Sequence, residues 1–426
     1  MTQLATIVLA AGKGTRMKSA TPKVLHDVCG RPLIDHVLDV AHQVGSLKTC
    51  VVLGHGIAKV QQRLPKGVLT VEQKQLLGTG DAVKTAGKFL KSFKGDILIL
   101  CGDTPLLKAE TIKALINRHR STKAVATILT AVVDNKTGYG RIIRNNSAKV
   151  VAIREENDCT ESEKDIREIN SGVFCFNANM LFENLNKIKV NSRKGEYYLT
   201  DLVELFAAQR SVIETVTTPE PAEGLGVNTR EDLAVCAAIM RKRILKQLML
   251  SGVTITDPLT TMIDSHVKIG EDTVIKPFTV IEHDVVIGKN CVIGPFAHLR
   301  PGTRIDDTVE IGNFAEVSRS TVGTGTFMKH FSFLGDAMVG RNVNIGAGTV
   351  TANFDGKDKN RTVIGDGAFI GSDSILVAPV KVGKKAMTGA GSVVTKGKVI
   401  PDGKIFVGMP ARLVPGPAGG TSRKAL

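Results

Sequence analysis

The sequence predicts two architectures in one chain: an α/β domain with a mainly parallel sheet over residues 1–228 and a hexapeptide β-helix over 253–405, with a linker helix over 229–252. Three observations carry this. Up to about residue 228, β-branched runs alternate with helical patterns, as in a parallel sheet covered on both faces. Further on, ten consecutive aliphatic positions recur at a spacing of six, from Ile263 to Val317. Aromatics are only 4% and Trp is absent, which suits a core made of stacked aliphatic columns.

Taken in order, Thr6–Ala10, Thr49–Leu53, Asp96–Leu100, Ala124–Ala131 and Gly172–Asn177 read as strands. Pro32–Val44, Gly80–Phe89 and Thr111–Arg120 read as helices. Thr229 with Asp232 three residues on has the form of a capping box. The helix it opens carries Leu233, Ala237, Met240, Ile244 and Leu248 on one face, with Gly252 near its end. The six-residue ladder then runs through Ile263, Ile269, Ile275, Ile281, Ile287, Ile293, Leu299, Ile305, Ile311 and Val317. It slips, and resumes at Val322, Met328 and Leu334, again at Val339 and Ile345, and finally at Ile364, Ile370, Leu376 and Val382. No helix or two-sided strand keeps that period, whereas one side of a triangular coil does. A polar loop, Thr351–Val363, interrupts it, and residues 406–426 form a tail ending in a stretch that reads as disordered.

The formal charge is +15, and residues 1–252 hold most of it, with 36 Lys+Arg against 25 Asp+Glu. Such a surface points to anionic partners. No basic run is interleaved with aromatics, which argues against nucleic acid. Seven scattered cysteines without a CxxC pair argue against a disulfide framework or zinc, and for a reducing, cytoplasmic setting. No apolar stretch is long enough for a membrane span.

The first βα turn, LAAGKGTRM followed by Pro22 and Lys23, has the character of an anion cradle. Its glycines allow a tight bend, and Lys13, Arg16 and Lys23 surround it with positive charge. It fits neither the Walker A spacing nor GxGxxG, and a Gly-rich turn by itself is equally a plain tight turn. Further motifs follow in order: QKQLLGTGDA, CGDTP, TGYGRI, REEN, INSG, GEYYLTD and GVNTR. With FLGDA and NIGAGTVTANFDG in the second half, the set resembles the bacterial family of bifunctional N-acetylglucosamine-1-phosphate uridylyltransferases/glucosamine-1-phosphate acetyltransferases, over about residues 4–400.

That resemblance implies a Rossmann-like nucleotidyltransferase domain, a left-handed parallel β-helix, and synthesis of UDP-N-acetylglucosamine, a precursor of cell-wall peptidoglycan and lipopolysaccharide. The implied substrates are UTP, N-acetylglucosamine-1-phosphate, acetyl-CoA and glucosamine-1-phosphate. It implies that Leu9, Ala10, Ala11 and Gly12 hold the nucleotide, that Gln73, Gly78 and Thr79 read the uracil, and that Arg16 and Lys23 steady the phosphates. Asp103 and Asn228 would hold Mg²⁺, a hard ion that prefers oxygen. Asp103 ends an apolar strand, where ligands gather in open α/β sheets, although an Asp there also serves as a helix cap. Gly140, Glu155, Asn170 and Asn228 would bind the amino sugar.

In the second half the resemblance makes His330 the general base, a task suited to imidazole, which exchanges protons near neutral pH as a class. Without the family, a satisfied core His is the simpler reading. Arg300 would take the sugar phosphate, Asn344 and Asn353 would orient substrate and oxyanion, and Ala347, Ser372, Ala390 and Arg412 would meet acetyl-CoA. Two positions depart from the family: Ser318 stands where a phosphate-binding Lys is usual, and Phe333 where a Tyr offers a hydroxyl. They keep a second reading open, a uridylyltransferase whose β-helix serves only to trimerise the chain. Either way a homotrimer is expected from the packing of triangular prisms.

Overall fold

A computed structural model describes residues 2–192 and 195–414, and these divide into two compact units between Ile239 and Met240. The disordered stretch predicted after Val414 lies outside the described residues.

In the first unit a nine-stranded sheet is built on β1 (Leu4–Ala10). In chain order follow α1 (Leu33–Gln43), β2 (Lys48–Leu53), β3 (Leu69–Glu72), α2 (Thr79–Leu90), β4 (Asp96–Cys101), α3 (Ala109–Ser121) and β5 (Ala126–Val132). A hairpin comes next, β6 (Arg141–Arg144) and β7 (Val150–Arg154), then β8 (Glu168–Asn177), α4 (Asp201–Ala208) and β9 (Ile213–Thr217). Along the main path the strand order is β9-β5-β8-β4-β1-β2-β3. β1 pairs in parallel with β2 and β4, whereas β8 runs antiparallel to both β4 and β5. The predicted strands, the three helices and the parallel character are present. Two edge strands (β3, β9) and the hairpin are additional, and β8 starts four residues before the predicted Gly172. Apolar side chains pack on both faces of the sheet, with Ile7, Ile97 and Ile99 on one and Val8, Leu98 and Leu100 on the other. This is what an unbroken aliphatic strand such as ILIL does when both its faces are covered.

α5 (Arg230–Leu250) opens on the predicted capping box. Thr229 N–H donates to Asp232 Oδ2 at 2.8 Å, and Asp232 N–H donates to Thr229 Oγ1 at 3.0 Å. The division between the units falls inside this helix, and its later residues Leu245, Ile244 and Leu248 pack into the second core.

The second unit is a left-handed parallel β-helix, a three-sided prism. The first face begins at Thr254–Ile255, the second at Met262–Ile263 and the third at Lys268–Ile269, and each pairs in parallel one coil on. The six-spaced aliphatics point inward, with Ile275, Ile293, Ile311, Leu299 and Val317 essentially unexposed. The coil is 18 residues, as in Ile275 pairing with Ile293. It shortens by one residue where the sequence register slips, so Leu299 pairs with Val317 but Val317 pairs with Leu334. The missing residues are at two successive corners after the second face. There Arg319 (φ 48°) and Asp336 (φ 51°) make the turn in left-handed backbone. At the same corner of the next coil the predicted loop leaves the prism as a small hairpin, bridged between Phe354 and Lys359.

Candidate functional sites

The first site forms where the chain leaves the carboxyl ends of β1 and β4. Gly102 N–H donates to Leu9 O at 2.9 Å, which brings the two strand ends together. The Gly-rich turn folds back on Lys23: Gly14 has φ 61°, and a Cβ there would stand 2.8 Å from the Lys23 Cβ. Only glycine permits that approach. Leu9, Ala10, Ala11, Gly12, Lys23, Gln73, Gly78, Thr79, Cys101 and Asp103 line one cavity of about 200 Å³. Thus every nucleotide-binding residue predicted from the sequence lines a single pocket, with Asp103 beside them.

At its floor the Lys23 ammonium contacts Asp103 Oδ2 and lies 3.2 Å from Asn228 Oδ1. Arg16 Nη2 donates to the same Asn228 oxygen at 3.0 Å. Val227 N–H donates to Asp103 O at 2.9 Å, fastening the GVNTR segment to the end of β4. Lys23 and Asp103 are about one-seventh and one-fifth exposed, so the pair is only partly screened by water. The two oxygens meet at one cation, the donor chemistry a hard divalent ion requires. Among the described residues no cluster of three His, Cys, Asp or Glu could hold a metal. The carboxylate and the amide oxygen expected to hold a metal thus stand together without a third such residue beside them.

Of the four predicted sugar residues, Gly140, Glu155 and Asn170 gather on β8 and at the ends of the hairpin beside it, whereas Asn228 stands apart from that group, against Lys23 and Arg16. Asn170 N–H donates to Gly140 O at 2.8 Å, and a Cβ on Gly140 would be 3.6 Å from Glu155 Oε1. A bulge in β8 between Asn170 and Phe174 turns the strand here, and Asn170 Oδ1 accepts from Gly172 N–H at 3.0 Å. Thr200, part of the GEYYLTD motif but given no role from the sequence, donates its hydroxyl to Glu155 at 3.0 Å. The same segment clamps the loop expected to read the uracil, because Gly80 N–H donates to Tyr197 O at 2.8 Å and Leu199 N–H to Thr79 Oγ1 at 3.0 Å. Arg230 also belongs to the neighbourhood: it reaches Met17 O at 3.3 Å and His26 Nδ1 at 3.1 Å, tying α5 to the Gly-rich turn. Burial, then the Arg230 charge, holds His26 below its ordinary pKa.

The second site lies on the β-helix around its second face. His330 is exposed at the corner between first and second faces, two residues past the inward Met328. Ala347, Ser372 and Ala390 hold the same place past Ile345, Ile370 and Thr388, so the four form a column along one edge. Asn344 stands just before that corner, on the first face. Phe333 is on the second face, where a Cβ on Gly335 would meet its ring at 2.7 Å and Asn353 Nδ2 at 2.7 Å. The bare backbone of Gly335 is what lets Phe333 and Asn353 close over it.

Arg300, Ser318 and Gly335 align at the far edge of that face, since Arg300 N–H donates to Val317 O and Ser318 pairs with Gly335. Arg300 is ion-paired with Glu316 at 2.6 Å. Ser318 is buried, its hydroxyl accepting from Arg319 Nη1 at 2.9 Å. Arg319 in turn grips Asp336 through two bonds, of 2.7 and 2.9 Å, and Asp336 also accepts from Asn353 at 2.5 Å. Arg319 foremost, with Asn353 and the nearby Lys359 charge, holds the Asp336 carboxyl below the usual range. The positive charge beside Ser318 is thus that of Arg319, the next residue in the chain, and both its bonds to Asp336 hold it there. Arg412, in the final strand opposite Val407, is exposed and apart from these contacts.

A family model described as a MobA-like NTP transferase domain matches residues 6–167. One for the bacterial transferase hexapeptide (six repeats) matches 266–301, 284–319 and 361–396. The bifunctional protein GlmU of Geobacillus sp. (strain WCH70) is 46% identical over 422 residues, covering 91% of this chain and 92% of that protein. The bifunctional protein GlmU of Lactococcus lactis subsp. lactis (strain IL1403) is 45% identical over 435 residues, 94% of each. A solved UDP-glucose pyrophosphorylase complexed with UDP-glucose aligns over 57% of this chain and 100% of that chain, with TM-score 0.47 and 16% identity.

Proposed function

The chain belongs to the bifunctional GlmU family, and from that premise we propose that it makes UDP-N-acetylglucosamine in two steps at two independent sites. The β-helix acetylates glucosamine-1-phosphate from acetyl-CoA, and the α/β domain transfers uridylyl from UTP to the N-acetylglucosamine-1-phosphate formed. The observation that carries the reading is the Lys23–Asp103–Asn228 contact at the floor of the pocket.

In uridylyl transfer an oxygen of the sugar-1-phosphate attacks the α-phosphorus of UTP, the bond to the bridging oxygen breaks, and pyrophosphate leaves. No protein nucleophile is needed, so the work is alignment and charge neutralisation. Leu9–Gly12, Gln73, Gly78 and Thr79 hold the nucleotide. Arg16 and Lys23 neutralise its phosphates, and Gly140, Glu155, Asn170 and Asn228 orient the amino sugar. A divalent metal goes with the family, and Mg²⁺ is the ion proposed here. The oxygens of Asp103 and Asn228 fit it, and when bound it adds positive charge against the phosphates.

In acetyl transfer His330 removes the proton from the glucosamine amine. The new N–C bond forms as the C–S bond breaks, and the coenzyme A thiolate leaves and takes up a proton. Asn344 and Asn353 orient amine and carbonyl, Arg300 receives the sugar phosphate with the Ser318–Arg319 corner beside it, and Phe333 lines the face. Ala347, Ser372, Ala390 and Arg412 are assigned to acetyl-CoA.

The assembly proposed is a homotrimer. Its support is a row of phenylalanines along the edge that carries His330: Phe278 and Phe296 stack at 4.9 Å, Phe296 and Phe314 at 5.0 Å. They are 52%, 43% and 61% exposed in the single chain. Such a continuous apolar edge suits burial by another copy. Light scattering of the full chain should give three times the chain mass; a monomer would reject this. No helix among the described residues is long and apolar enough to cross a membrane, and a cytoplasmic setting is proposed.

Two assays test the function: thiol release from acetyl-CoA with glucosamine-1-phosphate, and pyrophosphate release from UTP with N-acetylglucosamine-1-phosphate. Both activities are expected. Pyrophosphate release alone would favour the reading in which the β-helix only trimerises the chain.

A further inference from the structure

We propose that Lys23 has a task besides phosphate binding: it is a placeholder cation that keeps Asp103 and Asn228 assembled and closes them to a bare divalent ion until a nucleotide arrives. The inference rests on the reading of those two residues as metal-holding. Three observations lead to it. The ammonium touches the Asp103 carboxylate and stands 3.2 Å from the Asn228 amide oxygen, the very atoms a metal would use. Arg16 already donates to that amide oxygen at 3.0 Å. Asp103 is not part of any three-residue cluster of His, Cys, Asp or Glu among the described residues.

The charge count then decides the order of events. The Asp103 carboxylate meets the Lys23 ammonium, the Arg16 guanidinium is held close by through the Asn228 amide oxygen, and the Asp232 carboxylate behind Asn228 is taken up by the Asn228 and Thr229 backbone N–H groups, so the side chains that meet at Asp103 and the Asn228 oxygen carry net positive charge before any ligand binds. A divalent ion arriving alone has to displace the ammonium and sit near two cations in a partly desolvated site, where charges interact more strongly than in water. It gains only two protein oxygens, whereas hard divalent cations take six or more. A nucleoside triphosphate removes both obstacles. Its anionic oxygens draw Lys23 and Arg16 into charge-assisted hydrogen bonds and supply the missing ligands. The metal therefore enters with the triphosphate, and Lys23 exchanges the Asp103 carboxylate for a phosphate.

Binding of Mn²⁺ to the full-length, nucleotide-free protein tests this, read as loss of the free-ion signal in electron paramagnetic resonance. The wild type and Lys23→Arg, which keeps the charge, should bind weakly. Lys23→Met should bind at least tenfold tighter, and adding Asp103→Asn to it should abolish the gain. Thermal melts of each variant identify any that fail to fold. Equal or weaker Mn²⁺ binding by folded Lys23→Met would overturn the proposal, as would the same gain in Lys23→Arg. Asp103→Asn assayed for pyrophosphate release separates the two claims. Undiminished release removes the metal-holding reading itself, whereas lost release with no gain in Lys23→Met removes only the placeholder role.

Discussion

Asp201 sits beside the proposed sugar site with Glu204, Glu155 and Asp158 around it, and burial first, then these like charges, push its carboxyl up to about 6. A folded-state pKa above the unfolded one means the native state holds the proton more tightly, so stability falls as pH rises from about 4 to about 6 and stays lower above that. Asp201→Asn should therefore raise the melting temperature at pH 7.5, by the equivalent of about 1–3 kcal/mol, and change little near pH 4. An equal gain at both pH values would contradict this. Arg319 is the second residue whose role depends on its neighbours. It neutralises Asp336, which holds Asn353, so Arg319→Ala leaves a bare carboxylate where the sugar phosphate is proposed to bind. The KM for glucosamine-1-phosphate should rise tenfold or more while pyrophosphate release is unchanged; an unaltered KM would separate this corner from the site.

The elements differ in how far the sequence betrayed them. The β-helix was legible because a coil with three equal sides forces one inward aliphatic every six residues, whatever the outward side chains are. The slip after Val317 was visible too, but not its product. Two shortened corners stack Arg319 over Asp336, and pairing across coils leaves no periodic mark. In the α/β unit, long aliphatic strands such as β1 and β4 announced themselves. The short edge strand β3 and the β6–β7 hairpin did not, because few residues carry their pattern. The antiparallel sense of β8 is likewise absent from its hydrophobicity, and the bulge that turns Asn170 is a backbone event. The Gly-rich turn and GVNTR were readable as chemistry because motif residues lie together in the chain, whereas GEYYLTD was visible as a motif but the contact its Thr200 makes with Glu155, 45 positions away, was not. The cap of α5 joins element to site: Asp232 Oδ2 accepts from both Asn228 N–H and Thr229 N–H, at 2.9 and 2.8 Å. Asp232→Ala should cost about 1 kcal/mol of stability and lower pyrophosphate release severalfold, with acetyl transfer untouched. Asp232→Asn, which keeps an acceptor oxygen, should restore part of the loss.

At the scale of the whole molecule, each unit has its own hydrophobic core and its own set of polar contacts. The phosphate chemistry draws on a basic pocket at strand ends, and the acyl chemistry on the outer face of a prism. No residue proposed for either reaction lies in the other unit, so the two activities should fail separately. The most direct measurement runs both assays on two full-length variants, Asp103→Ala and His330→Ala. Asp103→Ala should lose pyrophosphate release by a factor of 100 or more, on the order of the few kcal/mol that charge-stabilising groups contribute, and keep wild-type thiol release; His330→Ala should do the reverse. Loss of both activities in either folded variant, or of neither, would contradict the account.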